Sequence, residues 1–479
     1  MHIEPIAVAL LSVLLLAGYL ARSTVTVALF ASLPFGATAI ATLSAMGGST
    51  LVLFTPLAAL LVATTLLRRS ALNNLRTILA DQWVATLVAF LVVYVVAGAL
   101  MLPRLFEGQT TVFVPGDNRI IEVPLAPVSG NINQSCYFIV SGLCFFAFSV
   151  LLLKPGYFRV LKIAMFGFAG LHAALCIVDL CGKLAGDGDV LGFLRTAGYS
   201  MLSDVQAEGF WRIVGAYPEA STCAAATATA FAFTFSYWRV AGSRPAFVLT
   251  LILLALLLLS TSSTGYIVFA ALAAVFLGTL LLDAARGRLR SRDIWILACA
   301  TIAVIAALVA AIVTDHALEP IVQLFQGTIV NKASSASAAE RFYWNYKSYM
   351  AFLDTGGLGV GLGSSRASSW AIAVLSQLGM LGALVFGVLT WQILKRPYTR
   401  PPAPELLEIA ATCRGLRAAA FATMVALVTS AGNADPGIMF FTALAALIAG
   451  RKLLAREPAT SPRRVPQPWY DRPITAPVH

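Results

Sequence analysis

Hydrophobic positions along this chain fall in long, nearly unbroken runs, not in the alternation of half-buried strands or the one-sided stripe of soluble helices. Runs lie near residues 5–21, 24–45, 49–67, 83–102, 135–153, 160–181, 219–239, 245–261, 264–282, 294–313, 369–394, 416–431 and 436–450. A bilayer core takes about 20 apolar residues per helix, so these predict about 12–13 transmembrane helices. No strand-like alternation competes, and open sheet edges are not tolerated in lipid. The expected fold is therefore all-α and polytopic: one membrane domain over residues 1–450, then a basic, Pro-rich tail over 451–479 that is expected to be disordered. The first run has no small-residue cleavage site followed by a polar mature domain, so it reads as a retained helix.

Composition agrees. Of 479 residues, 59% are hydrophobic and 11% charged, against about 25% charged in an ordinary soluble domain. Disorder, a coiled coil and a soluble enzyme are excluded. The net charge of +11 suggests nucleic acid until the charges are placed. Alternate loops carry 24 basic and 7 acidic residues on one side and 9 basic and 15 acidic on the other, a split of +17 and −6. Basic loops face the cytoplasm, which puts the N-terminus outside and the C-terminus inside. Topology thus accounts for the charge; the expected contact is lipid headgroups, with no nucleic acid.

The seven cysteines show no metal-ligand spacing, and His2, His172, His316 and His479 form no cluster in sequence. No metal site and no cofactor is expected. Cys136 and Cys181 fall at the outer ends of neighbouring helices, where a disulfide is possible, although small hydrophobic packing residues are the preferred reading. His172, mid-helix, reads as a hydrogen-bonded packing residue.

Polar chemistry concentrates in outside loops near 103–134, 182–216 and 314–368. The first alternates like a hairpin, TVFV then IIEVPL around Pro115-Gly116-Asp117-Asn118, and reads as structural. The second brings Arg212 and Glu219 to the mouth of the seventh helix. Ionisable groups at that depth need a partner or a wet cavity, so the two either pair with each other or mark a site. In the third, a helix over 338–353 would put Arg341, Asn345 and Ser348 on one face. Phe342, Tyr343, Trp344, Tyr346, Tyr349 and Phe352 surround that face, suited either to sugar stacking or to an interfacial belt. The run Gly356, Gly357, Gly359, Gly361, Gly363 imitates a dinucleotide fingerprint but follows no strand of an α/β unit. It can instead form a turn whose N–H groups face an anion, with Arg366 beside it.

These loops carry a resemblance. W-R-x-x-G-x-x-P-E-x-S at Trp211 to Ser221, a Ser/Ala-rich loop with Arg341, and G-L-G-V-G-L-G-S at Gly357 to Ser364 resemble the O-antigen polymerase and ligase superfamily, most of all its exopolysaccharide polymerases. The stretch Ser260 to Gly265 and S-Q-L-G-M-L-G at Ser376 to Gly382 also fit, and the resemblance covers roughly residues 200–390. It implies a lipid-carrier-dependent, metal-independent membrane glycosyltransferase. Its substrate would be oligosaccharide on undecaprenyl diphosphate at the outer face of the bacterial inner membrane. The growing polysaccharide, a chain-length regulator and a flippase would be its partners. Arg212 and Arg341 match the arginines of the family's two functional loops. Two departures stand out. Ser262-Ser263-Thr264 lacks the arginine that relatives often carry after the serine, and Ser364-Ser365-Arg366 occupies the region where the ligase branch has a histidine. The second departure tilts the reading from ligase to polymerase.

Chemically, guanidinium groups suit the charge that builds on a leaving diphosphate. Arg212, Arg341 and Arg366 are the candidates, with Glu219 as base for the acceptor hydroxyl and Trp344, Asn345, Gly361 and Gly363 as further substrate contacts. Attack opposite the leaving group would invert the anomeric centre. The alternatives are an O-antigen ligase acting on lipid A core, or a flippase. A flippase would place its charges at the bilayer midplane on broken helices.

Overall fold

The computed structural model describes residues 2–21, 24–43, 49–115, 120–186, 188–198, 206–207, 210–287, 289, 291–313, 336–396 and 403–455. The predicted tail from 456 onwards and residues 314–335 of the third loop, with His316, lie outside the described residues.

Long helices dominate. In chain order they are α1 (Pro5–Leu20), α2 (Thr24–Ser32), α3 (Phe54–Leu66), α4 (Arg69–Asp81), α5 (Trp83–Leu105), α6 (Ser129–Leu151), α7 (Tyr157–Leu184), α8 (Ala220–Ala241), α9 (Arg244–Leu259), α10 (Ser263–Ala285), α11 (Ser291–Val313), α12 (Ala336–Asp354), α13 (Trp370–Leu394), α14 (Leu407–Ser430) and α15 (Gly437–Ala455). Among the described residues, seven helices are long and apolar enough to cross a membrane: α5, α6, α7, α10, α13, α14 and α15. That is the make-up of a multi-pass membrane protein.

The all-α expectation holds, and the strands among the described residues are confined to three small antiparallel sheets at one end of the bundle. Strands β1 (His2–Ile3), β2 (Ala39–Leu43) and β3 (Ser49–Val52) make the first, β4 (Thr111–Pro115) and β5 (Ile120–Pro124) the second, and β6 (Gln206–Ala207) and β7 (Phe210–Trp211) the third. The second is the hairpin predicted from alternation, in the register Val112 to Val123 and Val114 to Ile121.

The predicted span 24–45 needs correction. Its helix has nine residues, about 14 Å of rise and half of a bilayer core. Val27, Ala28, Leu29 and Phe30 are buried in protein, with Phe30 edge-on to Phe148 at 6.2 Å, so an apolar run here meets other helices and not lipid. The chain nevertheless returns to the end where it began, because β1 pairs with β2. The next predicted span, 49–67, is likewise a strand followed by the 13-residue α3. α4, expected as a loop, is an amphipathic helix that buries Ala71 and Ile78 and exposes Arg69 and Arg76.

α8 is rich in Ala and Thr because it runs through the middle. Its Ala224, Ala228 and Ala232 are buried, as are Ala411, Ala419 and Ala422 of α14. Small side chains let such backbones approach closely, and Thr229 meets Thr423 at 3.0 Å across the pair. At the end opposite the sheets, Arg239 binds Asp293 at 2.8 Å, Lys162 binds Glu408 at 2.6 Å, and Arg451 donates to the Gln392 carbonyl at 2.8 Å.

Candidate functional site

The glycine run and the S-Q-L-G-M-L-G motif are one structural unit. α13 breaks at Gly379, whose φ is +66° and ψ −170°. A broken helix frees carbonyls that must find donors elsewhere, most of all at membrane depth. The N–H of Val360 donates to the Ser376 carbonyl at 2.7 Å and that of Gly361 to Gln377 at 3.0 Å. The Tyr94 hydroxyl donates to Leu378 at 2.8 Å, and Met380 N–H returns a bond to Gly357 at 2.9 Å. Backbones this close exclude side chains. A Cβ on Gly361 would stand 2.8 Å from the Gly98 carbonyl oxygen, and one on Gly363 2.2 Å from that of Gly130. Gly361 and Gly363 are therefore corrected from substrate-binding to packing residues. Their N–H groups are already engaged, Gly363 with Gln377 Oε1 at 3.4 Å, and none is left to cradle an anion.

This unit delivers Arg366. Its loop is pinned on four sides: Arg366 N–H to the Phe113 carbonyl (2.9 Å), Ala367 N–H to Gly432 (3.1 Å), Ser368 N–H to Asn345 Oδ1 (2.8 Å) and Gln377 Nε2 to the Ser365 carbonyl (2.7 Å). Asn345 thus holds the loop. Ser348 Oγ, one turn along α12, points at the Arg366 carbonyl at 3.5 Å, so the predicted polar face of that helix turns towards this loop. The Arg366 guanidinium lies over the Trp344 ring, 5.8 Å from its centre. Phe113 of the hairpin packs on Tyr343 and Trp344, while Phe342, Tyr346 and Tyr349 are exposed.

Arg212 is positioned by residues that sequence reasoning missed. Asp179, fully buried near the end of α7, accepts from Lys183 Nζ at 3.0 Å, Val214 N–H at 2.8 Å, Gly215 N–H at 3.1 Å and Arg195 at 3.4 Å. Lys183 then donates to the Arg212 carbonyl at 2.8 Å, and Arg195 also binds Asp189 and the Gly215 carbonyl. The signal was present: two opposite charges four apart in an apolar helix demand a use.

Glu219 is the N-cap residue of α8, with Oε1 accepting from the hydroxyls of Ser221 and Thr222. It does not pair directly with Arg212. Instead Arg212 and Arg366 each feel the charges of both Glu219 and Arg341, which brings all four ionisable candidates into one neighbourhood. Burial is the largest influence on both arginines and lowers their pKa below the ordinary value; Glu219 opposes this and Arg341 adds to it. Arg366 is open to solvent on one side yet flanked by enough protein to be desolvated. An arginine does not shed its proton in response, so a bound anion is what relieves such a cluster.

Which basic residues are unengaged is informative. Of the nine assigned to the outside, Arg119 and Lys332 lie outside the described residues. Arg104 donates to the Leu100 carbonyl, Lys183 and Arg195 hold Asp179, and Lys347 pairs with Glu122 at 2.7 Å. Among the described members of this outside set, those whose guanidinium groups make no ion pair or hydrogen bond are Arg212, Arg341 and Arg366.

The turn before α10 adds uncommitted polar groups. Thr261 has φ +47°, a rare conformation for a β-branched residue. Its hydroxyl and that of Ser262 are buried without partners, as are Ser365 Oγ and Arg212 Nε. The start of α10 has no side-chain cap, and Tyr266 in its first turn is an electrostatic neighbour of Arg212. Uncapped helix N-termini favour anions.

Cys136 and Cys181 carry free, exposed thiols. His172 is buried and bonded to Thr227 at 2.8 Å. Sequence spacing hid one grouping: His172, Cys176 and Cys223 converge across α7 and α8. No protein-family model and no curated protein matches the chain.

Proposed function

We propose that this protein is a polysaccharide polymerase: a metal-independent membrane glycosyltransferase that joins oligosaccharide units carried on undecaprenyl diphosphate, at the outer face of the bacterial inner membrane. The observation that carries the reading is that Arg212 and Arg366, neither of them in an ion pair, each feel the charges of both Glu219 and Arg341. In the reaction, an acceptor hydroxyl attacks the anomeric carbon as the bond from that carbon to the diphosphate oxygen breaks. Glu219 takes the hydroxyl proton. Arg212, Arg341 and Arg366 hold the diphosphate and stabilise its growing charge, helped by the hydroxyls of Thr261 and Ser262 at the uncapped start of α10. Trp344, with Arg366 against its ring, offers a stacking surface for sugar. Entry from opposite the leaving group inverts the anomeric centre.

Purified protein incubated with lipid-linked oligosaccharide tests this. A ladder of lengthening product is expected. Transfer to a lipid A core without a ladder would make it a ligase, and movement of substrate across the bilayer with no new glycosidic bond would make it a flippase.

A further inference from the structure

Behind the arginine cluster, between α7 and the first turns of α8, three metal-ligating side chains meet out of contact with solvent. His172 and Cys176 are four residues apart on α7, and Cys223 stands one turn into α8. All three are fully or almost fully buried, with exposures of 0%, 0% and 1%, and their ligand atoms lie within 4.8 Å of one another.

The separations suit a metal. Bonds of about 2.3 Å to sulfur and about 2.0–2.1 Å to imidazole nitrogen set tetrahedral ligand atoms roughly 3.5–3.8 Å apart. Here Cys176 Sγ is 3.4 Å from Cys223 Sγ, just under that spacing, and 4.0 Å from His172 Nδ1, the nitrogen left free for an ion, just over it. A disulfide would need the sulfurs at about 2.05 Å.

The hydrogen bonds prepare the imidazole. Thr227 Oγ1 donates its proton to the Cys223 carbonyl at 2.9 Å, so in its 2.8 Å contact with His172 it accepts, and the ring proton sits on Nε2. Nδ1 is then a bare lone pair, with the Cys176 thiol 4.0 Å away. A metal-binding histidine is held in this way, one nitrogen donating to a fixed acceptor and the other free for the ion. Gly215, at φ +58°, covers the two sulfurs, each 3.6 Å from where its Cβ would be, and so leaves room beside them.

We infer that His172, Cys176 and Cys223 form a structural site for a thiophilic closed-shell metal ion, and charge balance selects Zn(II). Binding would displace one proton from each thiol, and a divalent ion with two thiolates and a neutral imidazole is uncharged, which a buried site requires. The ion would tie α7, which carries Asp179, to the turn of α8 that follows Glu219. It takes no part in sugar transfer, and the inference does not depend on that reading.

The test uses tag-free full-length protein in detergent, equilibrated with Zn(II) or Cu(I) and then desalted. About one zinc per folded chain is expected, with X-ray absorption showing two sulfur ligands and one imidazole nitrogen, and with the zinc lost in the Cys176→Ala/Cys223→Ala double variant. Should that variant not fold, the absorption spectrum of the wild-type protein decides alone. Folded protein without zinc, an oxygen- or nitrogen-only spectrum, undiminished zinc in a folded double variant, or a Cys176–Cys223 disulfide by mass spectrometry would each overturn the site. Retention of Cu(I) with exclusion of Zn(II) would overturn the choice of ion.

Discussion

Lys183 donates its ammonium proton to the backbone carbonyl of Arg212 at 2.8 Å while holding Asp179 at 3.0 Å. A fully buried ion pair therefore fixes the backbone of a residue whose own guanidinium has no ion pair. Breaking a buried pair by removing one partner costs about 3–5 kcal/mol, whereas exposed pairs are worth about 0–1 kcal/mol. Lys183→Met is expected to lower the thermal unfolding temperature sharply and Lys347→Met, which loses the exposed Glu122 contact, hardly at all. Equal shifts would contradict the clamp.

Glu219→Gln keeps the size and the hydroxyl contacts of the N-cap residue but removes the base. Product formation should fall by about 10²- to 10⁴-fold while binding of the lipid-linked substrate persists. A variant with wild-type turnover would remove Glu219 from the chemistry.

Gly379→Ala and Gly361→Ala test the packing account of the glycine run. At Gly379 a Cβ would lie 2.4 Å from the Leu358 carbonyl oxygen, and both positions have positive φ. Each substitution should destabilise the protein by at least about 1–3 kcal/mol. At Gly356, also at positive φ but with nothing within 4 Å, only the backbone strain remains and the loss should be smaller. Thermal unfolding of the three variants side by side gives the order.

Much of this architecture was legible in the sequence. Most of the long apolar runs became helices, TVFV and IIEVPL paired as strands, and the helix expected over 338–353 spans Ala336–Asp354. The 24–45 run misled because a buried helix and a lipid-facing one share a composition, and no pattern of Val, Leu and Phe says which neighbour covers them. The purpose of the glycines was likewise invisible. Gly361 answers to Gly98 and Gly363 to Gly130, partners more than two hundred residues away. Arg212, Arg341 and Arg366 stood out as candidates because only nine basic residues are assigned to the outside, and Glu219 because it sits at a helix mouth. The loop partners of the Asp179–Lys183 pair, and the His172–Cys176–Cys223 grouping, needed the folded chain first.

Asp435 offers a pH signature. In the link between α14 and α15, burial pushes its carboxyl up to about 6, against the opposing bonds from Gly437 N–H and the Ser141 hydroxyl. A folded-state value above the unfolded one, near 3.9, adds stability that is fully present below about pH 4 and is lost as pH rises through 6. Asp435→Asn removes that dependence, so the variant should gain on the wild-type protein as pH climbs from 4 to 7. Parallel unfolding profiles would refute it.

The central claim is that Arg212 and Arg341 act on the diphosphate of a lipid-linked sugar. The measurement that tests it most directly is polymer formation by purified Arg212→Ala and Arg341→Ala proteins, checked for native unfolding temperature, on undecaprenyl-diphosphate-linked oligosaccharide. Removing one such donor typically costs on the order of 10²- to 10³-fold in rate, so neither variant should build a ladder in the time the wild-type protein completes one. Ladders of wild-type length and rate from both variants would contradict the account.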